Sequence, residues 1–277
     1  MRNIDDTTFE NEVDEAGEAL SPARAALLFA RECAYPDLRP SDYLIALDDL
    51  AAEAEQVLPD GDPQDSGLAL ARFLFDTLAF QGNRQDYGDP RNSYLNQVLD
   101  RRLGLPISLS VIFLEVGRRL RLPVAGVGLP GHFIAAIEAD AGPAYLDPFD
   151  RGRPLSPADC AALVAASTGL TVAFDPDWLR PTPPRAIVAR MLNNLRNVYV
   201  SVEDWPPAIL VLECLAALQP DVAEHARDLG VLHYRAGSFR QASALLNEYL
   251  VRSPEADDAE AVRQRRDLLL HELARLN

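Results

Sequence analysis

The first third of the chain carries apolar residues at the spacing of amphipathic helices. Ser21 followed by proline predicts a helix start with Ser21 as the N-cap, and this helix is expected to end near residue 33. Two further helices are predicted over 41–57 and 67–80. Residues 1–19 are polar and acidic, which predicts a frayed tail.

The middle of the chain changes to a mixed pattern. A short helix is predicted from Asn92 or Ser93, and Pro106 opens a longer one that is apolar on nearly every side, so we expect it to be buried. A capping box at Ser156 predicts another helix. Between these helices the pattern predicts three short strands: 124–129, 132–138 and 144–147.

The last third is helical again and contains an internal repeat with a period of 34 residues. The recurring positions are Tyr199, Ala208, Leu212 and Pro220, followed by His233, Ala242, Leu246 and Pro254. A period of 34 is typical of tetratricopeptide units, which are pairs of antiparallel helices. Gly230 and Ala242 are predicted to let the paired helices approach closely, and a charged helix over 258–276 is predicted to cap the stack.

The charge balance excludes one class of partner and favours another. The 277 residues carry a net charge of −16, which disfavours nucleic-acid binding and favours solubility and cationic partners. All 26 basic residues are arginine, so the chain offers no lysine amine to acyl transfer. Neither a membrane span nor an apolar signal region is predicted, and the three cysteines are widely spaced. We therefore expect a cytoplasmic protein without disulfides, bound metal or cofactor.

One histidine and one aspartate form a candidate site. If the second and third strands pair around a tight turn at 139–140, His132 faces Asp147, close enough for the carboxylate to orient the imidazole. A longer turn through Gly142 would change that alignment. Such a pair can serve as a general base and its orienting group, or it can simply tie a hairpin together.

A nucleophile is less clearly indicated. Ser108 lies in the first turn of the helix that Pro106 opens, where the helix dipole stabilises an anion, but a serine there also commonly bonds the backbone. Cys160 lies near another helix start, but the interpretation that the sequence favours is a small buried apolar residue. Arg101 and Arg102 end a helix, where they either bind an acidic group or only complement the dipole.

Four motifs occur in an order that resembles a known family. They are Asn92-Ser93-Tyr94-Leu95-Asn96, Arg101-Arg102-Leu103-Gly104-Leu105-Pro106-Ile107-Ser108-Leu109, Gly131-His132-Phe133 and Asp147-Pro148-Phe149. Followed by tetratricopeptide units, they resemble the SirB family of bacterial proteins. The resemblance implies an α+β fold: a mostly helical, transglutaminase-like (papain-like) core with a small antiparallel sheet, and then the helical repeats. It implies a polar tail over 1–19, a transglutaminase-like domain over 20–180 and a repeat segment over 186–277.

The same resemblance assigns site residues. It places His132 and Asp147 at the family's catalytic His and Asp positions, whereas no cysteine stands at 106–108, where the nucleophile is expected. Asn92, Tyr94, Arg101 and Arg102 belong to the shared motifs and are expected to contribute to binding.

Two functions from different classes follow. The first is a cytoplasmic binding or regulatory protein that engages protein partners through its repeats, with a core that has lost its nucleophile. The alternative is an enzyme of acyl transfer or amide hydrolysis, in which His132 is the base, Asp147 orients it, and Ser108 or a water attacks.

Overall fold

The computed structural model describes residues 3–140, 142–169 and 174–276. Helices dominate these ranges and surround a small sheet, which confirms the α+β prediction. The α-helices are α1 (Phe9–Ala16), α2 (Pro22–Cys33), α3 (Pro40–Glu55), α4 (Pro63–Arg72), α5 (Leu95–Arg101), α6 (Pro106–Arg119), α7 (Pro157–Thr168), α8 (Pro184–Ser201), α9 (Trp205–Leu218), α10 (Glu224–Arg235), α11 (Phe239–Arg252) and α12 (Ala259–Leu276). The strands are β1 (Gln81–Gly82), β2 (Leu103–Gly104), β3 (Val124–Leu129), β4 (His132–Ile137), β5 (Ala144–Asp147) and β6 (Arg153–Leu155).

Helix starts follow the predicted capping signals in most places. The Ser21 hydroxyl accepts the Arg24 N–H at the start of α2, and Ser156 forms the predicted capping box with Asp159 at the start of α7. The helix predicted over 67–80 corresponds to α4. It begins earlier than predicted, at Pro63, because the Asp62 carboxylate caps its N-terminus, and it continues into a π-helical turn over 73–77.

The N-terminal segment is folded, so the expectation of a frayed tail over 1–19 is wrong for its described residues; Met1 and Arg2 lie outside the described ranges. Phe9 and Val13 lie one helical turn apart on α1 and are both 1% exposed. Glu12 on the same helix binds the Arg24 guanidinium through two bonds of 2.6 and 2.8 Å. A short apolar stripe and one bidentate ion pair therefore hold an otherwise acidic segment on the core.

The sheet has the strand order β3-β4-β5-β6, antiparallel throughout, while β1 and β2 form a separate parallel pair. The predicted register of β4 and β5 is wrong by two residues, since Leu146 pairs with Ala135 and not with Phe133. The connection between these strands is longer than a tight turn, as it spans residues 138–143. A shift of two residues keeps each side chain on its predicted face, because side chains alternate with a period of two.

The repeat helices match the predicted period. Helix α11 begins and ends 34 residues after α9, at 239 and 252 against 205 and 218. A methyl group added at Gly230 on α10 would lie 2.8 Å from Cδ2 of Leu246 on α11, so the two helices approach as closely as predicted. The glycine is required there because no side chain fits between them.

The hydrophobic core does not stop where the repeats begin. Leu192 and Leu195 of α8, Leu212 of α9 and Leu232 of α10 belong to the same buried cluster as α2 and α6. A second cluster, centred on α11 and α12, lies beyond it. The boundary between a domain ending at 180 and a repeat segment from 186 stays a prediction. The first repeat helices, which follow this boundary, contribute to the same hydrophobic core as α2 and α6.

Candidate functional site

His132 and Asp147 are in contact, as predicted, although they do not pair directly across the strands. Nε2 of His132 lies 3.0 Å from Oδ2 of Asp147. With Leu146 opposite Ala135, these two residues are diagonal neighbours on one face of the hairpin, within reach of a long imidazole. A carboxylate can only accept, so this bond places a proton on Nε2 and leaves Nδ1 as the ring nitrogen that can act as a base.

The carboxylate itself is held in place. Asp147 is 2% exposed, and its Oδ1 accepts the Phe149 N–H at 2.9 Å, which caps the short 3-10 turn that follows β5. The Phe149 ring meets the imidazole edge-on, with ring centroids 6.2 Å apart. The imidazole is therefore fixed by a hydrogen bond at one edge and an aromatic wall at another.

A cavity of about 520 Å³ opens beside this pair. Pro106, the first residue of the buried helix α6, lines it, as do Gly131 and Ser167. Its rim carries Tyr87, which is 54% exposed, and Arg84, whose guanidinium lies 4.9 Å over the Phe149 ring and pairs with Asp150 at 2.9 Å. The site thus combines a base, a helix N-terminus and a polar, aromatic entrance.

Ser108 is not placed to act as the nucleophile. Its side chain is fully buried; its hydroxyl donates to the Asn92 carbonyl oxygen at 2.7 Å and accepts the Leu105 N–H at 2.9 Å. Both roles of the hydroxyl are taken by backbone groups, so the serine joins the start of α6 to the preceding turn. Ser108 therefore bonds the backbone at the start of the helix, which is one of the two roles that the sequence allowed for it.

Two other candidate nucleophiles, Cys160 and Ser167, are no better placed. Cys160 is fully buried, and burial, followed by the negative charges of Asp159 and Asp147, raises the pKa of its thiol to about 11. The Ser167 hydroxyl reaches the cavity but donates to the Leu163 carbonyl at 2.7 Å. It also lies in the last turn of α7, where the helix dipole disfavours an alkoxide.

The four predicted binding residues lie apart from the cavity lining and fulfil structural roles. The Asn92 amide donates to the Asp86 carbonyl at 2.7 Å, and the Tyr94 hydroxyl lies 2.9 Å from that of Tyr199, which joins α5 to α8. Both side chains are buried.

The two arginines also have local partners. Arg101 pairs with Asp89 at 3.1 Å, while its buried Nη1 has no hydrogen-bond partner within the described ranges. Arg102 ends α5 with φ +57°, donates to the Leu78 carbonyl at 2.9 Å and lies over the Phe80 ring. Neither arginine lines the His132 cavity.

Arg190, which was not predicted from the sequence, supports the site directly. Nη2 of Arg190, on α8, donates to the carbonyls of Leu129 and His132 at 3.0 and 2.6 Å. It thereby clamps the β3–β4 turn, and its guanidinium also lies 5.4 Å from the centre of the Phe133 ring. Burial lowers the pKa of Arg190. Local sequence offers no signal for this contact, because 58 residues separate Arg190 from His132.

Two further observations bear on the kind of site. Within residues 3–140, 142–169 and 174–276, no three potential metal ligands cluster. None of the helices in these ranges has the length and apolar character needed to cross a bilayer.

Comparison with known families finds two matches that divide the chain. Residues 41–193 match the model of the transglutaminase-like superfamily, and residues 195–267 match that of the tetratricopeptide repeat. The first match contains the whole His132 site, and the second contains most of the repeat helices.

Individual relatives extend this similarity over most of the chain. A UPF0162 protein of Xylella fastidiosa (strain 9a5c) is 38% identical over 253 residues, which cover 89% of each chain. A UPF0162 protein of Vibrio cholerae serotype O1 is 26% identical over 264 residues, covering 95% of this chain and 97% of its own. Human F-box only protein 21 is 38% identical over 104 residues, which are 35% of this chain and 17% of that protein.

Proposed function

The chain belongs to the SirB-like UPF0162 proteins of the transglutaminase-like superfamily, and on that premise we propose that it is a protein-binding protein with a non-catalytic core. The observation that carries the proposal is the start of α6. Pro106 lines the His132 cavity where a nucleophile would stand, and the hydroxyl of Ser108 is occupied by the backbone. A base without a nucleophile beside it supports a role in binding.

The repeats supply the proposed docking surface. Tetratricopeptide units generally bind protein segments. The repeats here expose apolar side chains, such as Val202 at 67% in the turn between α8 and α9 and Val251 at 73% on α11. Because the first repeat helices share the main core, a partner bound there contacts a surface that is rigidly joined to the His132 region. We place this regulatory protein in the cytoplasm, in keeping with its net charge of −16 and three free cysteines.

Partner capture by the tagged full-length protein tests the proposal. Removing the chain after Pro184 would expose the core that α8 and α9 complete, so surface variants are preferable to truncation. Val202→Asp and Val251→Asp should abolish capture from native lysate, whereas His132→Ala should retain it. Val57→Asp is the matched control, since Val57 is 56% exposed and lies outside the repeats. Equal capture by all four variants would contradict docking on the repeats.

A photoreactive cross-linker should then map the contact. Reagents that target lysine are unsuitable because all basic residues of this chain are arginine. Cross-links from the partner to α9–α12 would support the proposal, while cross-links confined to the His132 cavity would oppose it.

A second candidate function, acyl transfer or amide hydrolysis, is favoured by the His132–Asp147 contact of 3.0 Å beside an open cavity. In this reaction a water would attack an amide carbon, and Nδ1 of His132 would take the proton of that water and then give it to the leaving nitrogen, so that the C–N bond breaks and ammonia leaves. Incubation with glutamine-containing peptides, with ammonia release as the readout, tests it. Release by the wild type that His132→Ala loses would establish the enzyme, and equal background in both would leave the binding role.

A further inference from the structure

Two of the three cysteines touch each other. Cys33 is the last residue of α2, and Cys214 lies on α9, yet their sulfur atoms are only 3.8 Å apart. The chain brings them together across 181 residues. The third cysteine, Cys160, is buried in a different hydrophobic cluster. The contact is therefore a specific pairing of one helix of the core with one helix of the repeats.

A small molecule can reach this pair. A cavity of about 160 Å³ lies between the two helices, and both cysteines line it. Leu210, at its edge, is 40% exposed, so the cavity opens toward solvent, and each cysteine retains 7% of its surface exposed. Hydrogen peroxide is little larger than water and fits such a space.

The geometry also permits a bond. A disulfide needs its sulfurs about 2.05 Å apart. From a contact of 3.8 Å, the sulfurs must approach by a little under 2 Å in total, which side-chain rotation and small helix shifts can supply. The helices already pack against each other, so no segment has to unfold to form the link.

We propose that Cys33 and Cys214 form an oxidation-sensitive dithiol, which a peroxide converts into a disulfide joining α2 to α9. One thiolate attacks a peroxide oxygen, which breaks the O–O bond and gives a sulfenic acid and one water. The second thiol then attacks the sulfenic sulfur, the S–S bond forms, and a second water leaves. Two thiols are oxidised by two electrons, and one peroxide is reduced to two waters.

The groups around Cys214 determine how readily its thiol reacts with an oxidant. The contact with Cys33 and burial, together with the negative charges of Glu32 and Glu213, raise the pKa of the Cys214 thiol. Since the thiolate is the reactive form, the raised pKa slows attack by the Cys214 sulfur at neutral pH, and this attack becomes faster as the pH rises. The inference depends only on this contact and holds whether the His132 site binds or catalyses.

Intact-mass analysis of the full-length protein tests the proposal. The protein is exposed to hydrogen peroxide under native conditions, denatured, and alkylated with iodoacetamide. Wild type should go from three alkylated cysteines to one, and before alkylation the oxidised chain should be 2 Da lighter than the reduced one; dithiothreitol should reverse both changes. Cleavage at arginine should yield one linked peptide pair containing Cys33 and Cys214.

Matched variants separate a specific pair from general oxidation. Cys160→Ser should form the same link, whereas Cys33→Ser and Cys33→Ala should form none; circular dichroism confirms that each variant is folded. The linked protein should also melt at a higher temperature than the reduced one, because the link constrains the unfolded chain. A link through Cys160, sulfinic acid without a link, or three cysteines that all remain alkylatable would each overturn the proposal.

Discussion

The close approach of α10 and α11 can be tested with two leucine substitutions on the same helix. Ala242 on α11 is fully buried against α10, and its carbonyl oxygen would lie 3.2 Å from a methyl group added at Gly230. Ala244, two positions along, is exposed. Leucine adds the same three carbons at both sites and has nearly the helix propensity of alanine, so the two substitutions differ only in what surrounds the new side chain.

The structure sets the expected magnitude. A single carbon placed at Gly230 would already lie 2.8 and 2.9 Å from Leu246, so this interface has no room for three carbons on the opposite helix. Overpacking of a filled core costs about 1–3 kcal/mol, and the absence of space favours the upper half of that range for Ala242→Leu. Ala244→Leu should change the free energy of unfolding by less than about 0.5 kcal/mol.

Thermal unfolding of the full-length protein is the assay. In a chain of this size each kcal/mol shifts the melting temperature by about 2–4 °C, so Ala242→Leu should lower it by roughly 4–12 °C. Amide exchange should rise selectively in α10–α12, whose buried cluster includes Ala242. Equal melting temperatures for the two leucine variants would refute the predicted close packing of the repeat.

Substitutions at three further positions test other contacts. Asp147→Ala removes the acceptor for His132 and for a backbone N–H, so urea titration should show a loss of about 1–3 kcal/mol; an unchanged midpoint would contradict the contact. Arg190→Ala should speed amide exchange in the β3–β4 turn. Arg190→Lys should restore the slow exchange only in part, because an ammonium lacks the planar, forked donor geometry of a guanidinium; full restoration would argue that the positive charge alone is sufficient. Hydrogen bonds from Ser41 lower the pKa of Asp5 below 3.8, so Asp5→Asn should reduce the free energy of unfolding by about 1–2 kcal/mol at pH 7. The difference between the two proteins should disappear as the pH falls through the lowered pKa, and a difference that persists in acid would exclude this linkage.

Elements with local signals were predictable from the sequence. Strand β3 has the predicted bounds, 124–129, and α6 starts at Pro106 as expected, because proline and alternating apolar residues act within a few positions. The N-terminal helix was missed since its burial depends on partners elsewhere, such as Arg24 for Glu12. Acidic composition indicates exposure only where no such partner exists.

The His132–Asp147 pair was predicted correctly although its register was wrong. The residue types indicated a hairpin, but the length of the turn was not encoded in the strand pattern, so the two-residue shift went unseen. A shift of one residue would have turned Asp147 to the opposite face, whereas a shift of two only moved it diagonally. The contact survives because an imidazole is long enough to span the diagonal.

The link between the repeats and the site limits how a partner can bind. Arg190 belongs to α8 and holds two carbonyls of the turn that carries His132. A partner that displaced α8 would break both of these hydrogen bonds from a charged guanidinium, each of which contributes about 1.5–3 kcal/mol. The buried leucines of α8 and α9 would also lose core contacts. Binding to the outer surface of the repeats avoids both costs, so a partner of high affinity should leave the His132 turn unchanged, and amide exchange there should be equal in the free and bound protein.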